Sequence, residues 1–152
     1  MALTQKENTV IEHAHQILAR NVRRNSKAPM SSPTKVTNKI KQITADTKSE
    51  ETGVLILSNR HTYLGKFPLL SELSNPNGLE MKELITEIIR LNGCALVIYR
   101  VHPEPVPVDP KDKDCRLCRV VTDKLSGIDI RVLDMIILSS DSSVSLAERG
   151  FM

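Results

Sequence analysis

The stretch "RLNGCALVIYRVHP" (Arg90–Pro103), with its continuation "EPVPVDPKDKD" (Glu104–Asp114), decides how this chain folds. Leu79, Leu84, Ile88 and Leu91 recur in helical phase up to Asn92-Gly93, a helix terminator. The run from Cys94 to Val101 that follows is the most strand-like in the chain. A helix feeding such a strand is one half of an alternating α/β pattern. The strand runs into a lone His102-Pro103 and a proline-rich loop, which closes on Asp114. From there Asp114 can cap a helix that carries Leu117, Val120, Val121 and Leu125 and stops at Ser126-Gly127. A histidine at a strand end and an acid at the next helix start raise the question of a metal site.

Working outward, "TGVLILSN" (Thr52–Asn59) reads as a strand, and a second short strand through Tyr63 and Leu64 makes a hairpin with it. "SNPNG" (Ser74–Gly78) is a loop. Ser32-Pro33 supplies an N-cap hydroxyl and a first-turn proline to a helix whose stripe is Val36, Ile40 and Ile43, stopping near Thr47. Earlier still, Val10, Ile11, Ala14, Ile17, Leu18 and Val22 share one face of a helix that ends in Arg23 and Arg24. "NSKAPMSSP" (Asn25–Pro33) reads as a linker. On the far side, "IDIRVLDMIIL" (Ile128–Leu138) and "SVSLAE" (Ser143–Glu148) are two further strands about a polar turn. The expected organisation is an amphipathic arm over residues 1–30 and an α/β domain over 31–152.

The 152 residues, 26% charged and 40% hydrophobic, suit one domain with a real core. Aromatics are only 3% with no Trp, so Leu, Ile and Val must build that core and few side chains can stack on bases. No stretch approaches the ~20 apolar residues of a membrane helix, and the first residues hold no apolar run of signal length. The expectation is a cytoplasmic protein without a membrane partner. Three cysteines argue against a disulfide framework and leave free thiols or a metal role.

The net charge of +3 is unevenly spread. From Arg20 to Lys48, Arg20, Arg23, Arg24, Lys27, Lys35, Lys39, Lys41 and Lys48 face a single acid, Asp46. Such a region could contact phosphates, or be no more than a solvated helix end. The arm's apolar face needs cover, because an isolated helix of that length is marginal in water. It could fold back, pair with a second copy, or dock a partner.

The strings "SSPTKVTNKIKQI", "TGVLILSNRHTYLG", "RLNGCALVIYRVHP", "GIDIRVLDMIIL" and "SLAERGFM", in this order from about Ser31 to the C-terminus, together resemble the RadC-like JAB domain, a branch of the JAB/MPN metalloprotease-like fold. The resemblance implies a mixed β-sheet flanked by helices, with cytidine-deaminase-like topology. It also implies a zinc site: a His-x-His-Pro-Ser-Gly string, an Asp at the start of the following helix, and an upstream Glu acting through the metal-bound water. Here His102 matches the second histidine and Asp114 the aspartate, with one residue inserted in the loop before Pro110. Arg100 stands where the first histidine belongs, Glu104-Pro105 replace Ser-Gly, and the family's Asp-His pair near the end reads Asp134-Met135. The upstream glutamate finds no match, since the region holds Lys66, with Glu72 the nearest acid.

His102 and Asp114 are two ligands where a catalytic zinc wants three plus water. Arg100 adds a permanent positive charge that repels a dication in a partly buried cleft. Its guanidinium can instead form a fork to Asp114 or Glu104. Without a metal or a base, hydrolysis lacks a nucleophile. Cys115-x-x-Cys118 with His102-Pro103-Glu104 mimics pieces of zinc nucleotide deaminases, but only a loop separates them where a helix and strand are needed. A rebuilt site of His102, Asp114 and Cys118 stands against a plain reading of Cys118 and Cys94 as core. His13 and His15 point about 200° apart on a helix and cannot chelate together, and His61 has no acidic or cysteine partner nearby in sequence.

The expectation is therefore a degraded zinc site in a binding module, for protein or nucleic acid, with no cofactor. The binding candidates are Arg100, Glu104, Arg20, Arg23, Arg24 and Lys27, and the arm helix is a candidate homodimer contact. The alternative is a zinc-dependent, peptidase-like hydrolase with substituted ligands. The resemblance further suggests a DNA-repair link and a mobile-genetic-element setting.

Overall fold

A computed structural model describes residues 3–27, 29–69 and 79–152, the side chains of residues 18–27, 79 and 80 excepted. In chain order the elements are α1 (Gln5–Lys27), α2 (Pro33–Ile43), β1 (Glu51–Leu57), β2 (Tyr63–Leu69), α3 (Leu79–Arg90), β3 (Ala95–Val101), α4 (Asp112–Ser126), β4 (Arg131–Leu138) and β5 (Ser143–Ser145). The strands form one mixed sheet in the order β2-β1-β3-β4-β5. Among the described strands only β3 and β4 run parallel, and α4 is the crossover between them.

Every residue of β3 is buried, as a central strand covered on both faces requires. Its side chains alternate between two clusters. Leu96 and Ile98 face α3 and α4, joining Val54, Ile56, Leu84, Ile88, Val121 and Leu125. Val97, Tyr99 and Val101 face α2, joining Val36, Ile40, Leu55 and Met30. Arg100 shares the phase of Ile98, so alternation alone sends it to the α4 face.

Several boundaries depart from the sequence expectation. α1 continues through Asn25 to Lys27, and beyond it Pro29 and Met30 are held against the β1–β2 turn. Pro29 bridges Thr62, and the N–H of buried Met30 donates to the His61 carbonyl at 2.7 Å. α2 ends at Ile43, short of Thr47, because Thr44 turns both its N–H and its hydroxyl onto the Ile40 carbonyl. α4 starts before Asp114. Its N-cap is Lys111, whose N–H donates to the Asp114 carboxylate at 2.8 Å, so the acid serves from the third helical position.

The expected terminators hold: α3 stops just before Asn92-Gly93, and α4 ends at Ser126 with Gly127 as its C-cap. Asn92, at φ 55°, takes the left-handed position after α3, while Gly93 N–H reaches back to the Ile88 carbonyl at 2.8 Å. After α4 the left-handed residue is Asp129, at φ 60°, with Ile130 N–H on the Leu125 carbonyl; Gly127 stays right-handed. Asn and Asp tolerate this conformation through their short polar side chains.

Candidate metal centre

The C-terminal end of β3 lies beside the first turn of α4, and this junction brings the sequence candidates together. Arg100 Nε donates to Asp114 Oδ1 at 2.9 Å and Nη2 donates to Oδ2 at 2.6 Å, a two-pronged pair. Both residues are buried, at 3% and 2% exposure. The other terminal nitrogen, Nη1, meets His102 Nε2 at 2.5 Å. A guanidinium can only donate, so Nε2 accepts and the ring proton sits on Nδ1. Asp114 is further held by the Lys111 amide, and among the described residues no buried side-chain nitrogen or oxygen lacks a hydrogen-bond partner.

Glu50 completes the group. It lies one residue before β1, with its carboxylate 3.6 Å from Arg100 Nη1 and 3.6 Å from His102 Nδ1. It is an upstream acid beside the histidine, a position for which the sequence offered no match. Lys66 instead pairs with Glu51 at 3.4 Å on the opposite face of the sheet, and Glu72 lies outside the described residues. The signal for Glu50 was the doublet Glu50-Glu51 at a strand start. Alternation sends one acid to each face: Glu50 to Arg100, and Glu51 to the Tyr99 hydroxyl at 2.7 Å.

These residues do not fit a zinc ion. Zinc needs an imidazole lone pair at about 2.0–2.1 Å, and the His102 Nε2 lone pair is committed to Arg100. Both Asp114 oxygens carry guanidinium hydrogen bonds. A cation already fills the position between them, and among the described residues no group of three or more His, Cys, Asp or Glu could hold a metal.

The remaining candidates lie apart from this centre. Glu104 is exposed and the fork passes it by, going to Asp114. Cys118 belongs to the core cluster on the α4 face, where burial, the negative charge of Asp134 and the neighbouring Cys115 push its thiol up to about 11. Asp134 acts as a brace, accepting from Met135 N–H, Ser145 Oγ and Ala147 N–H. His61 occupies the hairpin turn with φ 59°, and His13 and His15 are exposed on α1. The side chains of Arg20, Arg23, Arg24 and Lys27 lie outside the described residues. On the described part of α1, Val10, Ile11 and Ile17 are exposed. No described helix is long and apolar enough to cross a membrane.

Comparison with known proteins agrees with this arrangement of elements. A UPF0758 protein of Vibrio cholerae is 30% identical over 146 residues, covering 96% of this chain and 90% of that protein. UPF0758 proteins of Photobacterium profundum and Vibrio parahaemolyticus are 29% and 28% identical over 123 and 143 residues. The chain spans only 54% and 62% of the length of those two. The sequence profile of the RadC-like JAB domain matches residues 30–151, and with that match spanning all of β1 to β5 the chain belongs to the RadC-like JAB domain family.

Proposed function

We propose that this chain is a RadC-like JAB domain that acts by binding and not by hydrolysis, its metal position taken over by Arg100. The observation that carries the reading is the single guanidinium that bonds both Asp114 oxygens and the His102 ring nitrogen at once. Hydrolysis of the metallopeptidase kind needs a Lewis acid to lower the pKa of water and a base to accept its proton. Glu50 is placed to be that base, but its neighbours are a guanidinium and an imidazole. The partner is a protein or a nucleic acid, held through the basic residues Arg20, Arg23, Arg24 and Lys27 and the exposed apolar stripe of α1, which also suits a second copy of the chain. We place the protein in the cytoplasm, in keeping with its free cysteines. Nothing beyond family resemblance supports a DNA-repair link or a mobile-element setting.

The second reading, a zinc-dependent hydrolase with substituted ligands, draws on the convergence of Glu50, His102 and Asp114. Metal analysis of purified, untagged protein separates the two. About one zinc per chain, lost on His102→Ala, would establish the hydrolase. A mobility shift that weakens with salt and disappears in the Arg23→Ala/Arg24→Ala variant would assign nucleic acid as the partner; an unchanged shift would assign the contact elsewhere.

A further inference from the structure

Every described side chain at the start of the chain, from Leu3 to Ile17, is exposed, so the rest of the molecule covers none of the apolar stripe on this part of α1. Val10 is 68% exposed, Ile11 41% and Ile17 44%. The helix is nevertheless well defined where it begins. Thr4 N–H donates to Glu7 Oε2 at 2.7 Å and Glu7 N–H donates to Thr4 Oγ1 at 3.3 Å, a reciprocal cap. A capped helix with an open apolar stripe suits a partner that is itself a helix.

The order of residues along the stripe selects which helix. "VIEHAHQIL" (Val10–Leu18) reads alike in both directions about Ala14. Ile11 and Ile17 stand one turn to either side of Ala14, Val10 and Leu18 stand just beyond them, Gln16 mirrors Glu12, and His15 mirrors His13. A two-fold axis through the middle of an antiparallel pair sets each position level with its mirror position on the second copy. Ala14 then meets Ala14 of the second copy, a small side chain at the crossing that lets the helices close, while Val10 and Ile11 come level with positions 18 and 17 of the other helix. The charges favour the same direction. Glu7 and Glu12 lie in the first half of α1, and Arg20, Arg23, Arg24 and Lys27 in the second. Parallel copies would crowd both sets of cations at one end. Antiparallel copies separate them, oppose the helix dipoles, and bring Glu7 within a turn of positions 20 and 24 of the second copy.

We propose that α1 is a homodimer seam, in which two copies of this chain pair antiparallel through the stripe centred on Ala14. The crossing has room, because Ala14 lies about 20 Å along the helix from Lys27, and the chain beyond is held at Pro29 and Met30 against the β1–β2 turn. The two domains then sit at opposite ends of the helix pair. This rests on the binding reading of α1 and names its partner as a second copy; Arg100 takes no part in the seam.

Sedimentation equilibrium of the full chain at about 10–100 μM is expected to return twice the chain mass. Ile11→Asp/Ile17→Asp changes two exposed side chains and is expected to return the monomer mass, with the thermal melt of the domain unaltered. Direction is read by cross-linking on air oxidation in a Cys94→Ser/Cys115→Ser background. Val10→Cys mixed with Ile17→Cys is expected to give a disulfide that joins the two variants. Val10→Cys alone is expected to give none, since its two copies lie about 12 Å apart along an antiparallel pair. A monomer throughout that range, whether free or sedimenting with vesicles of anionic phospholipid, would overturn the proposal, as would a dimer that survives the double Asp variant or a Val10→Cys that links to itself. None of these outcomes touches the Arg100 reading, which metal content tests separately.

Discussion

Arg100 and Asp114 meet in two parallel hydrogen bonds, Nε to Oδ1 and Nη2 to Oδ2, with both side chains shut off from solvent. Removing one partner of such a pair strands a buried charge, whereas replacing both with apolar groups can be nearly neutral. Arg100→Ala is expected to lower the unfolding free energy by roughly 3–5 kcal/mol in urea titrations. The Arg100→Met/Asp114→Leu double variant is expected to regain most of that loss. Equal losses in the two variants would mean the pair does not carry the charge balance of the junction.

Gly53 lies under Tyr99. A methyl group there would fall 2.5 Å from the Tyr99 hydroxyl and 2.9 Å from the Phe67 carbonyl, so Tyr99 could no longer reach Glu51 across the strand. Gly53→Ala is expected to destabilise by about 1–3 kcal/mol, the usual range for overpacking. Gly127 is the control, being right-handed with nothing within 4 Å of an added methyl. Gly127→Ala should stabilise by about 0.4–1 kcal/mol, and thermal melts of both variants check the contrast.

Burial pushes the Glu51 carboxyl up, but hydrogen bonds from Tyr99 and Thr47 and the charge of Lys66 outweigh it and hold the group below its ordinary 4.5. A carboxylate with a lowered folded-state pKa stabilises the native state above its unfolded value and loses that contribution as pH falls through the folded one. The stability gap between wild type and Glu51→Gln should therefore be full at pH 7 and shrink as the pH is taken below about 4. Urea unfolding across that window measures it; a gap that widens on acidification contradicts the assignment.

The Cys118 thiol, raised to about 11 by burial, by Asp134 and by Cys115, stays protonated near pH 8 and resists alkylation. Cys94 and Cys115 are partly exposed. Mass spectrometry after iodoacetamide treatment should find those two modified in the native state, and Cys118 only after unfolding.

Much of the fold was legible because its signals are local. The period-two run from Ala95 to Val101, the Ser32-Pro33 start and the stripes on α3 and α4 each specify an element without help from the rest of the chain. His102 and Asp114 could be named from the loop that joins them. Glu50 could not. It lies far away in sequence, and only the β1–β3 pairing, with Glu51 opposite Val101, carries it to the end of β3. The end of α2, at Ile43 and not near Thr47, and the cap of α4, at Lys111 and not Asp114, were missed because each is set by a hydrogen bond between side chain and backbone, from Thr44 to the Ile40 carbonyl and from the Lys111 amide to Asp114. Asn92-Gly93 and Ser126-Gly127 do mark their helix ends, and only the left-handed Asp129 beyond α4 went unread.

The most direct test of the central claim is the zinc content of untagged protein purified in the presence of added zinc, wild type beside Arg100→His. The account expects wild type to hold essentially none, and Arg100→His, with an imidazole beside His102 and Asp114 again, to hold about one ion per chain. A wild-type chain carrying one tightly bound zinc that His102→Ala releases would contradict it.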